Sequence, residues 1–220
     1  HLVFNFRIIK RLLRLSAGGV AQSLIATTSW IWLVRIMAVF GSAALAGYTI
    51  AIRIIVFSIL PAWGLSNAAS TMVGQNLGAD KPERAERSVW ITGFINMIFL
   101  VLIAVIFILF PAPLVRIFSN DAAVVKIGAL SLRIISCGYL FYSYGMVMMQ
   151  AFNGAGDTFT PTVINFFCFW MFEIPLAYIL ALHLKLAEKG VCLAVVFAES
   201  LVGIIGILVF RSGRWKKKKV

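Results

Sequence analysis

Two glutamates lie where a carboxylate is costly. Glu173 sits in "INFFCFWMFEIPLAYILAL" and Glu199 in "GVCLAVVFAESLVGIIGILVF", each near the middle of a long apolar run. An ionisable group at membrane depth is a functional candidate by default, because hydrocarbon cannot solvate its charge. A carboxylate there binds a proton or a cation to offset that cost, which is what an exchanger needs when ion and cargo are coupled through one charge. The competing reading is structural: Arg35, Arg53 and Arg133 also fall within apolar runs and could pair with the glutamates. Pro175, two residues after Glu173, cannot donate to the carbonyl of Met171, so a bend is expected beside the carboxylate.

Other chemistry is poorly represented. His1 and His183 are far apart, and Cys137, Cys168 and Cys192 have neither metal-ligand nor disulfide spacing. There is no phosphate-binding loop and no pair of Asp-rich motifs for a magnesium diphosphate. No enzyme, metal or cofactor is expected.

The elements that carry these glutamates are membrane spans. The chain is 61% hydrophobic and 13% charged, against about half and a quarter in soluble domains. About 20 apolar residues make one helical span, and the 220 residues divide into six: 16–40, 44–76, 82–110, 121–152, 161–183 and 190–210. The runs are continuous rather than alternating, which argues against barrel strands. The reading is an all-α integral membrane protein, a six-transmembrane-helix bundle. Pro61 predicts a kink or tilt in the long second span.

The basic residues set orientation. Arg7, Lys10, Arg11, Arg14, Lys81, Arg84, Arg87, Arg211, Arg214 and Lys216 to Lys219 fall on the side of both termini; Arg116, Lys126, Lys185 and Lys189 fall on the other. This excess places both termini in the cytoplasm of a multi-pass inner-membrane protein. The net charge of +12 is thus assigned to membrane flanks and not to nucleic acid.

Two similar turns then share the cytoplasmic side, "VGQNLGADKPERAER" and "MQAFNGAGDTFTPT". Asp80 is placed to cap the third helix with Glu83 as its capping-box partner. Asp157 lies in the second turn, and Thr160 before Pro161 is placed to cap the fifth helix. Gly78, Gly154 and Gly156 give the backbone freedom to reverse.

The stretches "PAWGLSNAASTMVGQNLGADKPERAERS" and "AFNGAGDTFTPTVINFFCFWMFEIPLAYILA" resemble two signature segments of the second half of multidrug and toxic compound extrusion (MATE) transporters. The resemblance runs from about Leu12 to the basic tail. It implies one lobe of a twelve-helix transporter with a pseudo-two-fold axis, here spans seven to twelve, with the amino-terminal lobe missing from this chain. It also implies export of amphipathic or cationic organic compounds, driven by inward protons or sodium ions, through a cleft between the lobes. Cleft candidates are Gln22, Asn67, Tyr142, Met146, Gln150 and Asn165; aromatic and Met side chains suit organic cations. Some members of the family carry acids in spans seven and ten. Here "SLIATTSWIWLVRIMAVF" has Arg35 and no acid, and "LFYSYGMVMMQAF" has none. The alternatives are a lipid-linked sugar flippase of the same larger group, whose cavity would carry many more basic residues, and a non-transporting membrane scaffold subunit.

Overall fold

A computed structural model describes residues 6–217, with the side chains of residues 7–15 and of Lys217 excepted. The basic entry, Arg7, Lys10, Arg11 and Arg14, and the end of the tail, Lys217 to Lys219, therefore lie outside the described side chains, as does His1. The chain runs α1 (Phe6–Ala38), α2 (Ser42–Gly78), α3 (Pro82–Leu109), a short α4 (Pro111–Arg116), α5 (Ala122–Ser136) and α6 (Tyr139–Gly154). A fifth span, Phe159–His183, follows. It is built from α7 (Phe159–Asn165), a π-helical stretch Phe166–Glu173, α8 (Ile174–Tyr178) and a second π-helical stretch Ile179–His183. The last span is α9 (Glu188–Arg211), closed by a 3-10 turn, Arg214–Lys217.

Five helices are long and apolar enough to cross a membrane. The pair α5 and α6 is apolar enough to make a sixth crossing only as one broken span, since the two helices meet at a bend of 62°. This corrects the continuous span expected from Asp121 to Phe152. Asp121 does start α5, its Oδ1 accepting from the amides of Ala123 and Val124 at 2.8 and 3.3 Å. At the other end Ser136 Oγ and Cys137 Sγ both turn back to the carbonyl of Arg133. Side chains that bond their own backbone compete with the helical ladder, and the break falls there. The second span shows no break at Pro61; α2 is one helix of 37 residues. At 1.5 Å per residue it is about 55 Å long, well beyond a hydrocarbon core of about 30 Å, so it must tilt, reach past the hydrocarbon, or both.

Backbones pack closely where side chains are smallest, as membrane bundles require. A Cβ on Gly47 of α2 would lie 2.7 Å from the carbonyl oxygen of Val124 and 2.9 Å from the amide nitrogen of Gly128, both on α5. The buried side chains form two clusters. One surrounds Tyr48, Leu100, Leu132 and Tyr139. The other surrounds Val73, Val89, Phe152, Phe210 and Trp215 at the end that carries the two turns.

Those turns share one backbone plan. In the first, the amide of Lys81 bonds the carbonyl of Asn76 at 2.8 Å and that of Asp80 bonds Leu77 at 3.0 Å. In the second, Asp157 bonds Phe152 at 2.9 Å and Gly156 bonds Asn153 at 3.0 Å. Both are Schellman closures, in which one left-handed residue ends the helix. That residue is Asp80 (φ 55°) in one and Gly156 (φ 74°) in the other. Asp80 therefore does not cap α3, whose N-cap is Lys81 with no side-chain cap bond, and the expected capping box with Glu83 is absent. At the second turn Thr160 does not cap: the N-cap of α7 is Thr158, with no side-chain cap bond, and the first turn is held instead by the Asp157 carboxylate, which accepts from the Thr160 amide at 3.2 Å and from the Thr160 hydroxyl at 2.7 Å.

Candidate functional site: a cavity with two carboxylates

Glu173 closes the first π-helical stretch. Within it hydrogen bonds skip five residues, as in the bond from the Ile174 amide to the Phe169 carbonyl. Such wide turns in a helix often mark functional positions. Pro175 follows in the first turn of α8, directly after helical residues, so its missing N–H leaves a gap in the helical ladder. The span continues through the proline, carried by wide turns on both sides. The Glu173 side chain is 4% exposed, and its Oε2 accepts from Ser29 Oγ of α1 at 2.7 Å.

Glu199 lies in the middle of α9 and is half-buried. Among the described residues it has neither a hydrogen bond nor an ion pair. Both glutamates line one cavity of about 370 Å³. Its walls come from every long element except α3. Trp30 projects from α1, Tyr48 and Trp63 from α2, Tyr139 and Tyr142 from α6, and Phe169 from the fifth span. The hydroxyls of Tyr48 and Tyr139 are buried with no hydrogen-bond partner among the described residues. No basic side chain lines the cavity among the described residues.

The in-span arginines are elsewhere. Arg35, Arg53 and Arg133 are all exposed. Arg35 stands 5.4 Å over the ring of Trp32, and Arg133 Nε donates to the Ile108 carbonyl at 3.2 Å. The ion pair found among the described residues is Lys216–Glu86. The arginines thus do not neutralise the glutamates. Long side chains on the outer faces of spans are free to reach the interface, whereas the two acids point into the bundle.

The expected cleft residues divide. Tyr142 lines the cavity, and Met146, one turn further on α6, packs partly buried against the first cluster. Gln22 and Gln150 meet through a residue the sequence reading passed over, Asn153. Gln22 and Asn153 exchange amide bonds at 3.1 and 3.3 Å, and Asn153 also donates to Gln150 at 3.3 Å. This triad ties α1 to the second turn. Asn67 is exposed on α2, and Asn165 is half-buried at the end of α7. Gly78 and Gly154 sit at the two helix ends before the turns.

The sequence and the fold of the chain are matched elsewhere. The family model MatE matches residues 19–179. The chain belongs to the MatE family. Relatives include a "probable multidrug resistance protein NorM" of Thermotoga maritima, 29% identical over 214 residues, covering 96% of this chain and 46% of that protein. A "probable multidrug resistance protein YoeA" of Bacillus subtilis is 25% identical over 222 residues, covering all of this chain and 47% of its own. The chain thus spans about half the length of the curated relatives it matches. A crystal structure of MATE in complex with MaL6 superposes with a TM-score of 0.90 at 20% identity, over 98% of this chain and 49% of that one. An outward-facing multidrug resistance MATE family transporter of the MOP superfamily gives 0.90 at 21%, with the same coverage. The fold of this MatE chain is accordingly one lobe of the larger transporter fold, in a multi-pass membrane protein.

Proposed function

We propose that the chain is one lobe of a secondary active multidrug exporter, and that Glu173 and Glu199 form its coupling-ion site. The observation that carries this reading is the pairing of two carboxylates in one cavity that no basic side chain lines among the described residues. Two bare charges of like sign in a largely apolar enclosure repel each other and are poorly solvated. A proton or a sodium ion completes the site, and an organic cation competes for it. The cargo is an amphipathic or cationic organic compound, for which the aromatic walls offer π faces. A lipid-linked sugar flippase would need basic groups toward its anionic cargo, and the cavity offers the opposite charge. The other lobe supplies the second wall of the transport cleft, so transport belongs to the complete protein. The basic excess supports cytoplasmic termini in an inner membrane.

The test is efflux of a fluorescent organic cation from cells or vesicles carrying the complete protein. Glu173→Gln and Glu199→Gln are each expected to abolish the dependence of efflux on the imposed proton or sodium gradient. Ion-dependent efflux unchanged in both variants would remove the pair from the coupling mechanism.

A further inference from the structure

The chain leaves α9 at Arg211 and folds back under the bundle. Gly213, at φ 69°, makes the reversal, a conformation that costs other residues a Cβ clash. Trp215 then enters the bundle and is 1% exposed. Its ring stacks on Phe210 with centroids 4.6 Å apart, and its Nε1–H donates to the Phe210 carbonyl at 3.0 Å. Phe210 packs in turn edge-on against Trp90 and Phe152. Lys216, the next residue, forms its ion pair with Glu86 in the first turns of α3. A tryptophan that anchors a helix at the interface faces the headgroups. Trp215 faces inward, so what it fixes is the position of its neighbours.

Those neighbours are basic. Lys81, Arg84, Arg87, Arg211 and Arg214 are exposed, and Lys216 is half-exposed; three more lysines, 217 to 219, follow in sequence. The ion pair brings the start of α3 and the end of α9 together, so both basic groups share one end of two membrane spans. Asp80, Glu83 and Glu86 are the acids of that segment, and Glu86 is already engaged by Lys216. A basic surface at the end of apolar helices stands at headgroup depth, where each Lys or Arg favours an anionic leaflet.

We propose that this end of the lobe is a preformed docking surface for anionic phospholipid headgroups, held in place by the Trp215 plug and the Lys216–Glu86 pair. The surface is separate from the carboxylate cavity, and its occupancy does not depend on which ion or cargo that cavity takes.

The complete protein, purified in detergent, is titrated with phosphatidylglycerol and separately with phosphatidylcholine, and bound lipids are counted by native mass spectrometry. Phosphatidylglycerol is expected to bind in preference, with an affinity that falls as salt rises. The double variant Arg214→Gln, Lys216→Gln is expected to weaken it on the order of tenfold. Trp215→Ala is expected to lose the preference and Trp215→Phe, which keeps the stacking, to retain it. If Trp215→Ala yields no folded protein, Glu86→Gln serves: it breaks the pair that holds Lys216 in place and is expected to weaken the preference, and an unchanged or stronger preference overturns the proposal. Equal binding of the two lipids, or an unchanged preference in the double variant, also overturns it. Displacement of the lipid by inorganic phosphate at equal concentration would mark a soluble-anion site and overturn the lipid assignment.

Discussion

Ser29 and Glu173 join the first and fifth spans by a hydrogen bond of 2.7 Å, in the wall of a cavity that no basic side chain lines among the described residues. The same two spans are tied again one turn away, where Trp170 Nε1 lies 3.2 Å from both the Ile25 carbonyl and the Thr28 hydroxyl. Ser29 is thereby a positioning residue for Glu173 in the coupling reading. A hydrogen bond to a charged group contributes about 1.5–3 kcal/mol, so the hydroxyl sets how readily the carboxylate gives up its solvation. Ser29→Ala is expected to change by about tenfold the ion concentration for half-maximal efflux, with Ser29→Thr restoring it in part. A role in packing alone would lower the yield of folded protein and leave the ion dependence untouched, and that result would retire the proposal.

The two glutamates are expected to differ in stability cost. Glu199 has no hydrogen-bond or ion-pair partner among the described residues, so Glu199→Gln removes a charge that the fold holds at a penalty. The complete protein should then melt a few degrees higher while its efflux loses ion dependence, a trade between stability and activity. Glu173→Gln keeps an amide oxygen to accept from Ser29 and should melt close to the parent. Thermal unfolding in detergent checks both, and a Glu199→Gln melting point several degrees below the parent would show that the charge has a structural partner.

Gly78 and Gly154 stand at equivalent helix ends, yet their surroundings differ. A Cβ at Gly78 meets nothing within 4 Å, whereas one at Gly154 runs into the backbone of Ser70 on α2. Gly78→Ala is expected to be neutral or to stabilise by about 0.5–1 kcal/mol, the usual gain in a helix. Gly154→Ala must push α6 from α2 and should cost about 1–3 kcal/mol. Parallel melting curves of the two variants test the contrast.

Much of the fold was legible because hydropathy alone demands spans, and charged flanks delimit them. The break between α5 and α6 was not, since Ser136, Cys137 and Gly138 read as small residues in a continuous apolar run. Only the packed structure shows their side chains bonding back. In the site, Glu173 and Glu199 were legible from depth. Which side they face was not, because a helical run apolar all round has no face to read. For the same reason Arg35, Arg53 and Arg133 could not be separated from the glutamates as partners. Ser29, Tyr48 and Tyr139 carried no signal, as hydroxyls are common in spans and pack helices together. Asn153 stood in full view in the second turn, but its amide contacts join positions more than 130 residues apart.

Asp80 and Asp157 look alike in sequence and do opposite work. Asp80 is the left-handed residue of its closure, at φ 55°, where a side chain costs about 1–2 kcal/mol relative to glycine, less for aspartate than for most. Asp157 sits one position further along its closure and is buried, with Thr160 bonded through both amide and hydroxyl. Asp80→Gly is therefore expected to hold or raise the melting temperature. Asp157→Gly removes the carboxylate that holds the first turn and should cost at least about 1–2 kcal/mol, loosening the start of the span that carries Glu173. Amide exchange at Thr160 and the following residues, followed by mass spectrometry, should quicken in Asp157→Gly and stay slow in Asp80→Gly. Equal protection in the two variants would mean that the second turn is held by something other than its aspartate.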